Sequence, residues 1–121
     1  MSKRKRTSKR LRMINPDIHN EQHLRIFESY IRGVGITPRM VTNVETGEHY
    51  RDGQTAAERL GVTRQDVNNC VHGRQGTVRG YHLVLAADFR RGLMSQFNDI
   101  CRENGTSPRE VLDEFRMLYW D

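Results

Sequence analysis

Cysteine is scarce in this 121-residue chain, and the two that occur, Cys70 and Cys101, form no C-x-x-C pair and have no histidine pair nearby. That excludes zinc binding of the usual spacing and leaves both as small buried apolar residues in a chain best suited to the cytoplasm. Long apolar runs are missing too. No stretch approaches the roughly 18 residues of a membrane span, and the charged start is not followed by the apolar run of a secretory signal, so the protein is expected to stay soluble and uncleaved. Aromatic residues make up 7% and are not interleaved with the basic regions, which counts against stacking on single-stranded nucleic acid. Internal repeats are absent. A chain this short buries only a modest core and has little room for a large active site, so no enzymatic activity and no cofactor are expected.

What the sequence does have is positive charge, unevenly placed. The net charge is +5 and the pI about 9.7, a balance that favours polyanionic partners. Residues 1–12 hold Lys3, Arg4, Lys5, Arg6, Lys9, Arg10 and Arg12 and no acid, so this segment carries +7 and residues 13–121 are left with −2. The segment reads as a disordered basic arm whose side chains neutralise phosphates, with a solubility tail or a nuclear targeting signal as the plainer reading.

Beyond the arm the pattern predicts an α+β fold: a three-stranded antiparallel sheet with a helix-turn-helix, flanked by an N-terminal helix and a C-terminal helical pair. Leu24, Ile26, Phe27, Tyr30 and Ile31 recur at helical spacing within Asn20–Arg32, before Gly33 and Gly35. Met40–Val44 and His49–Arg51 form a hairpin around a Gly-containing turn, and Gly80–Ala86 is a third strand. Phe89, Leu93, Phe97, Ile100 and Cys101 make one apolar stripe, and Val111, Leu112, Phe115, Leu118 and Tyr119 a second, with Ser107 and Glu110 able to form a capping box at its start. The organisation expected is an arm (1–12), a helical segment (13–38), the hairpin and helix-turn-helix (39–87), and a helical hairpin (88–121).

Two short helices, Gln54–Leu60 and Arg64–His72, flank Gly61-Val62-Thr63. Ala57 permits a close helix crossing, Gly61 supplies a positive φ, Thr63 caps the second helix, and Leu60, Val62, Val67 and Cys70 or Val71 fill the space between. The outward residues of the second helix are Arg64, Gln65, Asn68, Asn69 and His72, and none is apolar. Arg suits guanine, and Asn or Gln suits adenine, by paired hydrogen bonds. These five are the candidate base readers, while Arg74 and Arg79 join the arm as phosphate contacts. A helical hairpin with a merely polar exterior is the plainer alternative.

Val44-Glu45-Thr46-Gly47-Glu48, Ala56-Ala57-Glu58-Arg59-Leu60-Gly61-Val62-Thr63 and Gly80-Tyr81-His82, in that order, resemble the intron-encoded nuclease repeat module, over about residues 41–86. That family is a nuclease-associated modular DNA-binding domain found as a tail on homing endonucleases. The resemblance implies duplex-DNA binding, with Arg64, Gln65, Asn68 and Asn69 entering the major groove. The catalytic domain such modules accompany is missing, with neither an H-N-H nor a GIY-YIG pattern, which argues against cleavage. Leu83–Tyr119 is similar, more weakly, to ribbon-helix-helix repressors, which would pair two chains through Tyr81–Ala86, although the first module claims the same strand.

His19 and His23 stand four apart, the spacing of a two-histidine metal site, but without a third ligand they read as solvated residues at a helix start and no metal is expected. Trp120 is as well explained by packing as by partner binding. The leading expectation is a sequence-preferring duplex-DNA binder, a phage or mobile-element regulator acting by occupancy in the cytoplasm, nucleoid-associated or in the host. Two alternatives stay open: a phage-type protein that modulates a host protein through its C-terminal helices, and an RNA binder. No membrane partner is expected, and homodimerisation would let a single helix-turn-helix read enough bases.

Overall fold

The computed structural model describes residues 14–32, 35–107, 110 and 113. Helix α1 (Glu21–Ile31) starts where Asn20 places its side-chain oxygen on the backbone N–H groups of Gln22 and His23, at 2.9 and 3.1 Å. Strands β1 (Val41–Asn43) and β2 (His49–Tyr50) form the hairpin, followed by α2 (Gly53–Leu60), α3 (Arg64–Val71), β3 (Leu83–Leu85) and α4 (Ala86–Asn104). The sheet is antiparallel in the order β2-β1-β3, with Val41 opposite both Tyr50 and Leu85, and Thr42 opposite both His49 and Val84.

The sheet is buried on both faces, and the period-two geometry of a strand sorts its side chains into two cores. Met40, Val44 and Val84 pack with Leu24, Ile26 and Phe27 of α1 and Phe89, Leu93 and Phe97 of α4. Val41 and Leu83 point the other way, into a second cluster with Tyr50, Ala56, Ala57, Val67, Cys70 and Val71 from the helix-turn-helix. Each buried Phe contributes roughly 1.5–3 kcal/mol. The expected α+β architecture is therefore realised, with the apolar stripes of α1 and α4 covering the sheet face that the helix-turn-helix does not.

Two expectations need correction. The third strand is shorter than Gly80–Ala86: Arg79 and Gly80 turn at φ 54° and 84°, Tyr81 bridges back to Val78, and Ala86 already opens α4. His23 is not solvated but buried, its Nδ1 accepting from the Asp17 backbone N–H at 3.0 Å and its ring set edge-on to Phe89. Burial holds its pKa below the usual histidine range, outweighing the nearby carboxylates of Asp17 and Glu45. Strand β3 is taken up within the chain, by β1 along one edge and on the other at Leu83, whose N–H meets Cys70 Sγ at 3.4 Å. The strand that a two-chain ribbon would use is thus paired with β1 within the chain.

Ser107 and Glu110 form the reciprocal box expected of them, Ser107 N–H to Glu110 Oε1 at 3.2 Å and Glu110 N–H to Ser107 Oγ at 3.3 Å. The second apolar stripe and Trp120 lie outside the described residues, as does the basic arm.

Candidate nucleic-acid interface

Local chemistry specifies the helix-turn-helix. Asp52 caps α2 by accepting from the Thr55 backbone N–H at 2.8 Å, and hydrogen bonds from the Thr55 backbone and side chain hold its carboxyl below the usual range. At the other end Gly61 adopts the left-handed conformation, φ 68°, and its N–H and that of Val62 both return to Ala57 O. Thr63 Oγ1 then accepts from Asp66 N–H at 3.0 Å and starts α3. Val67, Cys70 and Val71 face the core, with Leu60 and Val62 half-buried beside them.

With that face fixed, Arg64, Gln65, Asn68 and His72 are exposed and Asn69 is half-buried. They are not equivalent. Gln65 donates an amide N–H to Asn69 Oδ1 at 3.1 Å, and Arg74 Nη1 reaches the same oxygen at 3.4 Å. The Asn69 carbonyl also accepts from the backbones of Arg74 and Gln75, closing the helix where Gly73 turns at φ 79°. Asn69 is thus a junction of α3 and the loop after it. Arg64, Asn68 and His72 line a cleft of about 420 Å³, with Pro38 and Arg39 on its far side.

Arg79 holds the turn together. Its Nε donates to Leu60 O at 3.0 Å, satisfying a carbonyl at the end of α2, from a backbone conformation with φ 54°. A positive φ at a residue with a Cβ costs about 1 kcal/mol or more, so the bond offsets strain.

Sequence reasoning missed Asn43, a fully buried polar residue whose Oδ1 accepts from Glu45 and Thr46 N–H at 3.1 and 3.2 Å. The loop it shapes is fastened to the start of β3: Glu45 accepts from His82 N–H at 2.7 Å and meets His82 Nδ1 with its other oxygen. Burial raises the Glu45 pKa, but the hydrogen bonds from His82 outweigh it and the carboxyl ends below its ordinary range. The Glu-Thr-Gly and Gly-Tyr-His strings therefore tie the hairpin loop to the start of β3.

This order of hairpin turn, capped helices and closing strand has a counterpart among known families. Residues 46–83 match the family model described as the DNA endonuclease I-HmuI-like, NUMOD-like domain. No curated protein and no solved structure matches the chain. The NUMOD-like match runs from the hairpin turn to the first residue of β3, so α1, β1, the rest of β3 and all of α4 lie outside it. It supports DNA binding by a nuclease-associated module that is not itself catalytic. Among the described residues, no group of three or more His, Cys, Asp or Glu could hold a metal ion, and no helix is long and apolar enough to cross a membrane.

Proposed function

We propose that the protein reads duplex DNA with α3 and acts by occupying its site, as a regulator of phage or mobile-element type, rather than by cleaving it. The observation that carries this is the exposed flank of α3, where Arg64, Asn68 and His72 border an open cleft on a helix whose opposite face is locked into the core. Asn68 is the side chain best suited to a paired contact with adenine. Asn69, whose oxygen already receives Gln65 and Arg74, positions them and the helix end instead. Ile31 is the one exposed large apolar side chain among the described residues, which favours a polyanion over an apolar protein partner for this body.

Selection from randomised duplex DNA at roughly physiological salt, where non-specific phosphate binding is suppressed, tests the reading. The expected outcome is one enriched site, palindromic if two copies bind, whose recognition Asn68→Ala weakens by about 1–3 kcal/mol at a single base pair. No enriched sequence would overturn it.

A further inference from the structure

Six of the eleven arginines of the described residues are engaged by carboxylates: Arg25 with Glu21, Arg32 with Glu28, Arg59 with Glu48, Arg91 with Asp88 and Arg102 with Asp99 at 2.8–3.1 Å, and Arg51 with Asp52 at 3.7 Å. Arg39, Arg64 and Arg90 are exposed and have no carboxylate partner within 4.0 Å among the described residues. These three are not scattered. Arg39 and Arg64 line the cleft beside α3, Arg90 lines a second cleft of about 680 Å³ against α4, and Pro38 is a wall of both.

The ridge between the clefts is held in place. Met40 N–H bonds Thr37 O at 3.2 Å across the Pro38-Arg39 turn, and Ala86 N–H, at the first residue of α4, bonds Met40 O at 2.9 Å. Arg90 lies in the N-terminal half of α4, where the helix dipole gives a cation no benefit, so helix stability does not account for it. A fixed turn flanked by three guanidinium groups, with Asp52, engaged in capping α2, as the one carboxylate lining either cleft, is suited to a row of phosphates.

We propose that the duplex-contact surface continues from α3 over the Pro38 turn onto α4, where Arg39 and Arg90 neutralise backbone phosphates beside the groove that α3 enters. Both residues lie outside the matched module, so the contact is an extension particular to this chain. The inference rests on duplex binding through α3.

The test measures affinity of the full chain for a labelled mixed-sequence DNA duplex across a potassium chloride series, for the wild type, Arg39→Gln, Arg90→Gln, their combination and Arg102→Gln. Each of the first two substitutions is expected to flatten the log–log salt slope by about 0.9, and the combination by roughly twice that. Arg102→Gln, at the far end of α4 and paired with Asp99, is expected to keep the wild-type slope. Wild-type slopes for Arg39→Gln and Arg90→Gln would overturn the extension while duplex binding stands. A wild-type protein that does not bind the duplex would remove the functional reading and this extension with it. Unchanged thermal melts of the variants keep folding out of the comparison.

Discussion

Gly92 of α4 sits so close to Pro16 that a Cβ on the glycine would meet Pro16 Cγ at 2.6 Å. The contact is enforced from both sides, because Gln96 donates to Pro16 O at 2.8 Å and accepts from Ile18 N–H at 2.7 Å. A glycine inside a helix ordinarily costs up to about 1 kcal/mol relative to alanine. Here the alanine would have to displace a rigid ring held by two hydrogen bonds, and overpacking of that kind costs about 1–3 kcal/mol. Gly92→Ala is therefore expected to lower the Tm despite its better helix propensity. Adding Gln96→Ala to that variant should cost less than Gln96→Ala alone, since the first change already loosens the clamp. A Tm raised by Gly92→Ala would show that the segment moves freely.

A second prediction concerns acid. Ser29 Oγ donates to Ile26 O at 2.6 Å and so accepts from His49 Nε2–H at 3.0 Å. That leaves His49 Nδ1 to accept from the Thr42 hydroxyl at 2.9 Å, and Thr42 to accept from Tyr30 OH at 2.7 Å. The chain of donors requires neutral His49. Burial lowers its pKa below the ordinary 6.5 and pushes the Tyr30 phenol up to about 12. His23 is lowered by the same cause, so two groups take up protons more readily in the unfolded chain. Stability is then full above about pH 6.5 and declines as pH falls from there towards the folded-state values. Urea melts at about pH 7.5 and pH 5 measure it. His49→Gln should shrink the decline, whereas a stability that is flat or rises on acidification contradicts the neutral assignment.

The two thiols should separate chemically. Cys70 is buried between α3 and β3, its Sγ within reach of Leu83 N–H and O, and burial pushes its pKa up. Cys101 is half-buried on α4. A disulfide exchange reagent is expected to modify Cys101 in the native protein and Cys70 only after denaturant is added, because the thiolate is the reactive form and needs access. Rapid modification of both would mean that α3 opens readily from β3.

How much of this was legible in the sequence depends on how far apart the interacting residues lie. The turn of the helix-turn-helix could be read because Gly61, Thr63 and the spacing of Val67 and Cys70 act within a few positions of one another. The outward residues of α3 followed as the complement of its apolar face. His23 was misread because its neighbour Phe89 comes from a helix far along the chain, and the clamp of Gln96 on Pro16 has no local pattern at all. Asn43 reads as one polar residue at the end of a strand, although it organises the hairpin loop. Within the site, the load on Asn69 from Arg74 and the bond from Arg79 to Leu60 O depend on how loops return, which periodicity does not encode. Arg39 and Arg90 look like any surface arginine until the carboxylates near the others are known.

The basic arm gives the last prediction. Its seven Lys and Arg groups stand against a remainder of the chain with net charge −2, so the arm is expected to supply most of the long-range attraction to DNA. Each group that engages a phosphate steepens the log–log dependence of affinity on salt by about 0.9. Removing residues 1–12 should flatten the slope by several units and weaken binding to all duplexes alike, because phosphate contacts carry no sequence information. The preferred site should be unchanged, since α3 is the element proposed to read it. Salt titrations of the shortened and full chains, on the selected site and on a scrambled one, separate the two contributions. An unchanged slope would mean that the arm does not touch phosphates, and a changed site preference that it reaches the bases.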